Sequence, residues 1–229
     1  MTNNPRATAD DKHSNTVPAS VTLILDETGS MQSCKGAAIA GFNEYLKTLR
    51  QMPMPVQFTL TLFNSGKLDV RHHNVPVSQV PELTEKSYQP AAGTPLYDAI
   101  GRTLTTAGRD ALPECKKLFV ILTDGQENAS REYSRDGVVR MIRESEGRGW
   151  TFVYLGADHN AWTAGGDLGI AGHNTVQFCR RETGRTFERL SEATATYLSA
   201  RPDQQQGFWK DADTSPNDRN APNDKTSGC

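Results

Sequence analysis

The sequence predicts an α/β fold: a doubly wound, mostly parallel sheet of about six strands, with one antiparallel edge strand and helices on both faces. Three observations lead there. Short continuous apolar runs alternate along the chain with segments whose apolar residues recur at helical spacing. One strand-like run meets a tight-turn signal at once, so a hairpin interrupts the alternation. The 229 residues, 36% hydrophobic, supply one substantial core rather than two.

Residues 1–18 are rich in Asn, Asp, Thr and Ser and are expected to form a disordered tail before a domain spanning 19–202. VTLIL (21–25), LFVIL (118–122) and TFVYLGA (151–157) are unbroken apolar runs, as central parallel strands covered on both faces require. VQFTLTLF (56–63) alternates instead, with Val56, Phe58, Leu60 and Leu62 on one face, and runs through Asn64-Ser65-Gly66 into KLDV, the expected antiparallel edge. Helical spacing marks Ile39, Phe42, Leu46 and Leu49, then Leu96, Ile100, Leu104 and Ala107, then Val138, Met141 and Ile142, and last Phe187, Leu190, Thr194 and Tyr197. A short Gly-rich helix near 161–170 and a last strand at TVQF (175–178) complete the sheet. Residues 203–229 are polar and Pro-bearing and read as a second disordered tail, with Phe208 and Trp209 expected in solvent.

A formal net charge of -2 gives no global basic field, so neither nucleic acid nor an anionic membrane is an expected partner. No apolar run is long enough to cross a bilayer, and the N-terminal residues lack the apolar stretch of an export signal, so a soluble, unexported protein is expected. Cys34, Cys115, Cys179 and Cys229 show no metal or disulfide spacing and are expected as four reduced thiols.

The chemistry concentrates at strand ends. Asp26 closes the first apolar strand and Asp124 closes LFVILT; in a doubly wound sheet, ligands bind outside those carboxyl ends where strand order reverses. Thr28 and Ser30 follow Asp26 at alternate positions and so share its side of an extended segment, and Thr94 precedes Pro95 at a helix start. Taken singly, Thr94 or Ser30 is also a good helix cap and Asp124 a turn former. Together, five oxygen donors in one crevice suit a hard cation, with Mg2+ preferred and Mn2+ or Ca2+ as alternatives. Only two donors are anionic, so such an ion would attract one more anion.

LDETGSM, GTPLYDAIG and ILTDGQEN, in that order, resemble the von Willebrand factor A domain family, whose metal-ion-dependent adhesion site has the form DxSxS with a distant Thr and a distant Asp. The resemblance covers about residues 19–200 and implies Asp26, Thr28, Ser30, Thr94 and Asp124 as the metal site. It further implies Mg2+ as the usual ion and a Glu or Asp of a protein partner as the missing ligand. Thr28 stands where serine is usual, keeping the hydroxyl and adding a methyl group. FVYLGADHNAWTAGGDLGI resembles intracellular bacterial and mobile-element members, which implies a cytoplasmic setting.

The alternative is a phosphohydrolase of the haloacid-dehalogenase type, with Asp26 as nucleophile and Thr123 as the second-strand hydroxyl. Thr28 occupies the position where that chemistry needs a general acid, so a non-enzymatic binding module is preferred. A scaffold that keeps the fold without the metal is the third reading. No phosphate-binding glycine loop is present, and Gly165-Gly166 is too weak a signal for a dinucleotide. Glu27 is expected in solvent and Asp158 as a helix cap, while Glu127 and Asn128, just after Asp124, are the minority candidates for lining the rim of the site. His72, His73, His159 and His173 lack zinc spacing, and Arg180, Arg181, Arg185 and Arg189 are expected to form a solvated helix face.

Overall fold

The computed structural model describes residues 17–109, 114–157, 161–200 and 208–209. Strands β1 (Ala19–Asp26), β2 (Val56–Asn64), β3 (Lys67–Pro76), β4 (Lys116–Thr123), β5 (Trp150–Gly156) and β6 (Thr175–Gln177) form one sheet in the order β3-β2-β1-β4-β5-β6. Every pairing is parallel except that of β2 with β3, the hairpin announced by Asn64-Ser65-Gly66. Asn64 Oδ1 accepts from the Gly66 amide at 2.9 Å, which closes that turn.

Among the described residues, five α-helices cover the sheet: α1 (Lys35–Arg50), α2 (Leu96–Ala107), α3 (Arg135–Glu146), α4 (Ala161–Asp167) and α5 (Thr183–Ser199). Alternation along each strand decides which helix a residue meets. Val21, Leu23 and Leu25 of β1 face one core with Phe42 and Leu46 of α1 and Phe187 and Leu190 of α5. Ile24 of β1 and Phe119 and Ile121 of β4 face the other, with Ile100 of α2, Val138 and Ile142 of α3 and Ala161 of α4. Both faces of β1 and β4 are apolar for that reason, as their unbroken runs foretold.

The second face of β2 is buried as well: Thr61 Oγ1 meets Thr103 Oγ1 of α2 at 2.9 Å, and Thr59 Oγ1 accepts from the Asn74 amide at 3.0 Å. Phe208 and Trp209 correct the expectation of solvated tail aromatics. Phe208 is buried against Tyr197, with ring centroids 5.6 Å apart, and its amide donates to Asn174 Oδ1 at 2.9 Å. A large ring near the open end of a core buries enough apolar area to offset ordering the chain that carries it. The Phe208 amide should exchange slowly with deuterium, and Phe208→Ala should abolish that protection; fast exchange in the wild-type chain would show that the ring is undocked.

Cys34 and Cys115 are free, whereas Cys179 is disulfide-bonded. The expectation of four reduced thiols fails there because folding, not spacing, brings sulfurs together. Asp158, His159 and the remaining tail residues lie outside the described residues. Among the described residues, no helix is long and apolar enough to cross a membrane.

Candidate metal centre

β1 and β4 are neighbours, and strand order reverses between them, so their carboxyl ends open one crevice. The register pairs Leu25 with Leu122. One step further, Thr123 Oγ1 donates to Asp26 Oδ2 at 2.5 Å, and the Thr28 amide donates to Asp26 Oδ1 at 2.7 Å. Ser30 Oγ donates to Asp124 Oδ1 at 2.6 Å and lies 3.1 Å from Thr28 Oγ1. Four of the five candidate residues thus join through direct contacts or a shared loop. The fifth, Thr94, sits over the loop that follows Asp124: a Cβ added at Gly125 would lie 2.6 Å from Thr94 Oγ1, so that close approach requires glycine.

Neither hydroxyl serves as a helix cap. Pro95 holds the N-cap position of α2 and Cys34 that of α1, each without a side-chain bond. Ser30 instead lies in the first turn of the 3-10 segment Gly29–Cys34 beside the crevice. Thr94 is held by its backbone: its amide donates to Asn128 Oδ1 at 2.8 Å, and its carbonyl accepts from the Asn128 amide at 3.1 Å. Ala92, just upstream, has a left-handed backbone (φ 61°), and its carbonyl accepts from the Gly29 amide at 3.0 Å. The first two loops of the site are therefore stitched to each other, and the second to the third.

One expectation next to the site is corrected. Glu27 is buried, not solvated: Oε1 accepts from the Gln89 amide at 2.6 Å, and Lys67 lies 3.8 Å from Oε2. The strand ends at Asp26, so alternation no longer points its neighbour outward. Glu127 turns into its own loop, accepting from the amides of Tyr97, Ala129 and Ser130, and Asn128 is the brace of Thr94 described above. Sequence reasoning also overlooked Thr123 as the brace of Asp26, and Tyr88, whose hydroxyl donates to the Asp26 carbonyl at 2.5 Å.

Electrostatics mark the pair. Asp26 is fully buried, and desolvation pushes its carboxyl up to about 6; the nearby charge of Asp124 adds to that rise, while hydrogen bonds from Thr123 and Thr28 oppose it. Ser30 remains exposed, so the crevice has a solvent-facing mouth. Beside it, a cavity of about 320 Å³ is lined by Leu96, Tyr97, Asp124, Tyr154 and Ala161 among others. Among the described residues, no three His, Cys, Asp or Glu side chains gather as a metal site. A cation here would rest on hydroxyls as well as two carboxylates, and that oxygen-only set fits a hard divalent ion.

Arg180 is the unexpected member. It was expected on a solvated face, yet its Nε lies 2.9 Å from Asp124 Oδ2. It begins the 3-10 turn Arg180–Glu182 rather than α5 itself, so helical periodicity did not govern its direction.

The sheet order, the single antiparallel edge and the two helical layers define a von Willebrand factor A fold. In solved structures, the chain is similar to the vWF domain of the type V pili tip protein Mfa5 from Porphyromonas gingivalis, with TM-score 0.62, 9% identity, and 81% of this chain and 98% of that one covered. It is similar to proximal thread matrix protein 1 from the mussel byssus, solved with a zinc-occupied MIDAS motif, with TM-score 0.51, 15% identity and coverage of 80% and 48%. A von Willebrand factor type A protein from Catenulispora acidiphila gives TM-score 0.53, 17% identity and coverage of 78% and 43%. The chain therefore spans nearly all of the pilus domain but under half the length of the other two. No family model and no curated protein matches the sequence.

Proposed function

We propose that this chain is a protein-binding module of the von Willebrand factor A family, of the intracellular bacterial or mobile-element type. Asp26, Thr28, Ser30, Thr94 and Asp124 would hold a divalent cation, Mg2+ first and Mn2+ or Ca2+ as alternatives. A Glu or Asp of a protein partner would complete the coordination. The observation that carries this reading is the contact chain Thr28–Ser30–Asp124 beside buried Asp26, at the mouth of the β1/β4 crevice. The zinc-occupied motif of the mussel protein supports a metal site on this fold, and the cytoplasmic setting belongs to the same proposal.

The chemistry supports binding over hydrolysis. Thr28, where the phosphohydrolase needs its general acid, carries no titratable proton for a leaving group. A bound cation would supply Lewis acidity toward an anion, and the protein's part is to position oxygen donors and restrict water.

The test is capture of partners from a native-host lysate on the full chain, in Mg2+ and in EDTA. Capture should vanish in EDTA, persist with Thr28→Ser, which keeps the hydroxyl, and weaken about tenfold with Thr28→Val, which loses a donor oxygen at nearly constant shape. Capture indifferent to EDTA and to Thr28→Val would favour the metal-free scaffold. Turnover of a phosphomonoester that depends on Asp26 would restore the enzymatic reading.

A further inference from the structure

Arg180 is held in place from behind. Thr183 Oγ1 donates to its carbonyl at 2.7 Å, and the Glu182 amide donates to the Cys179 carbonyl at 2.7 Å, which tightens the turn that carries it. Its guanidinium pairs with a carboxylate whose side chain is fully buried, while its own side chain is 44% exposed. Apart from that pair, its nitrogens make no hydrogen bond or ion pair with a described residue. The two oxygens of Asp124 are therefore divided: Oδ1 accepts from the candidate ligand Ser30, and Oδ2 faces a permanent cation.

Charge counting shows what that does. Asp26 and Asp124 contribute two negative charges when ionised, a divalent ion would cancel them, and Arg180 leaves one positive charge over. Without Arg180 the loaded site would be neutral. The guanidinium and the ion would share one carboxylate and repel each other, and an incoming acid would relieve both.

We propose that Arg180 is a second, built-in cation of this site, which shares Asp124 with the divalent ion and offers its free guanidinium nitrogens to the partner's carboxylate. It weakens the binding of metal alone and strengthens the binding of acid to the loaded site, so the two ligands bind cooperatively, each raising the other's affinity by the same factor. Guanidinium suits the task because its planar donors reach two oxygens at once and stay charged at every physiological pH. The inference rests on the metal reading above.

The experiment is a Mn2+ titration of the full chain followed by the spin resonance of free Mn2+, on wild type, Arg180→Gln and Arg180→Lys, each checked by thermal melting. The capped tripeptide Gly-Glu-Gly, at millimolar concentration, serves as the acid. Arg180→Gln should bind Mn2+ on the order of tenfold more tightly than wild type, the size of a unit charge acting on a divalent ion through well-hydrated surroundings. Arg180→Lys, which keeps the charge, should stay near wild type. The peptide should tighten Mn2+ binding to wild type and do so less in Arg180→Gln. Equal Mn2+ affinity in wild type and Arg180→Gln would overturn the role of Arg180 while leaving the metal site standing. Weaker binding in Arg180→Gln would overturn it too, showing that Arg180 only holds Asp124 in place. Absence of Mn2+ binding in all three chains would sink the metal site and this inference together.

Discussion

In metal-free buffer at pH 7, Asp26→Asn should be more stable than the wild-type chain by about 3 kcal/mol, the free-energy equivalent of raising a carboxyl from 3.8 to about 6. Burial is the main cause: the side chain is fully enclosed, and the hydrogen bonds from Thr123 and Thr28 recover only part of the lost hydration. Because the folded-state value lies above the unfolded one, this group's contribution is fully present below about pH 4 and is lost as the pH rises through 6. Wild type should therefore lose stability across that window, and Asp26→Asn should show a flatter profile. The amide fits the site, since the Thr123 hydroxyl lies 3.1 Å from the Gly125 carbonyl and can turn to donate there while accepting from Asn. Mg2+ should reverse the order. At a thousandfold excess over Kd, a bound ion stabilises the folded state by about 4.1 kcal/mol, more than the variant's advantage, a gain open to wild type and closed to the variant. Urea unfolding at several pH values, with and without Mg2+, measures both effects. Parallel pH profiles would show that Asp26 is not strained by burial, and equal Mg2+ shifts would remove it from the metal site.

Phe187→Ala should cost about 3–5 kcal/mol, enough to bring a domain of ordinary stability close to unfolding. Phe187 is fully buried and seats α5 on α1 at Gly41, where an added Cβ would lie 2.4 Å from ring atom Cδ2 and 2.7 Å from Cβ and Cγ. Those atoms are the base of the side chain and cannot swing away. Gly41→Ala alone should therefore cost about 1–3 kcal/mol through overpacking. In the double variant the close contacts with Cγ and Cδ2 are gone while the one with the retained Cβ remains, so the combined cost should fall short of the sum by about 1 kcal/mol. Urea midpoints with an unchanged slope are the measure. Strict additivity would mean that the two residues do not share that space. The contact also bears on the site, because the turn carrying Arg180 leads directly into α5.

The degree to which the candidate site was legible differs residue by residue. Asp26 and Asp124 could be found because each ends an unbroken apolar run, and a carboxylate there has few structural reasons to exist. Thr28 and Ser30 followed from alternation, and Thr94 from its order in the chain among the other motifs. The supporting residues were not legible. Thr123, Tyr88 and Asn128 are ordinary polar residues whose roles depend on partners 97, 62 and 34 positions away. Glu27 and Arg180 were misplaced for one reason: Glu27 follows the end of β1 and Arg180 precedes the start of α5, and outside a regular element the period that predicts direction no longer holds.

Local periodicity was enough to determine the elements, because a strand or helix must bury its apolar face whatever surrounds it. It also determined that the two carboxylates leave the sheet on one side, since parallel strands carry their carboxyl ends to the same edge. Only the tertiary structure decided that β1 and β4 are neighbours, that Phe208 closes the core, and that a guanidinium from the turn before α5 reaches Asp124. Those are contacts between distant segments, and their energies arise from burial and charge at close range. No residue carries such an energy until the chain has folded around it.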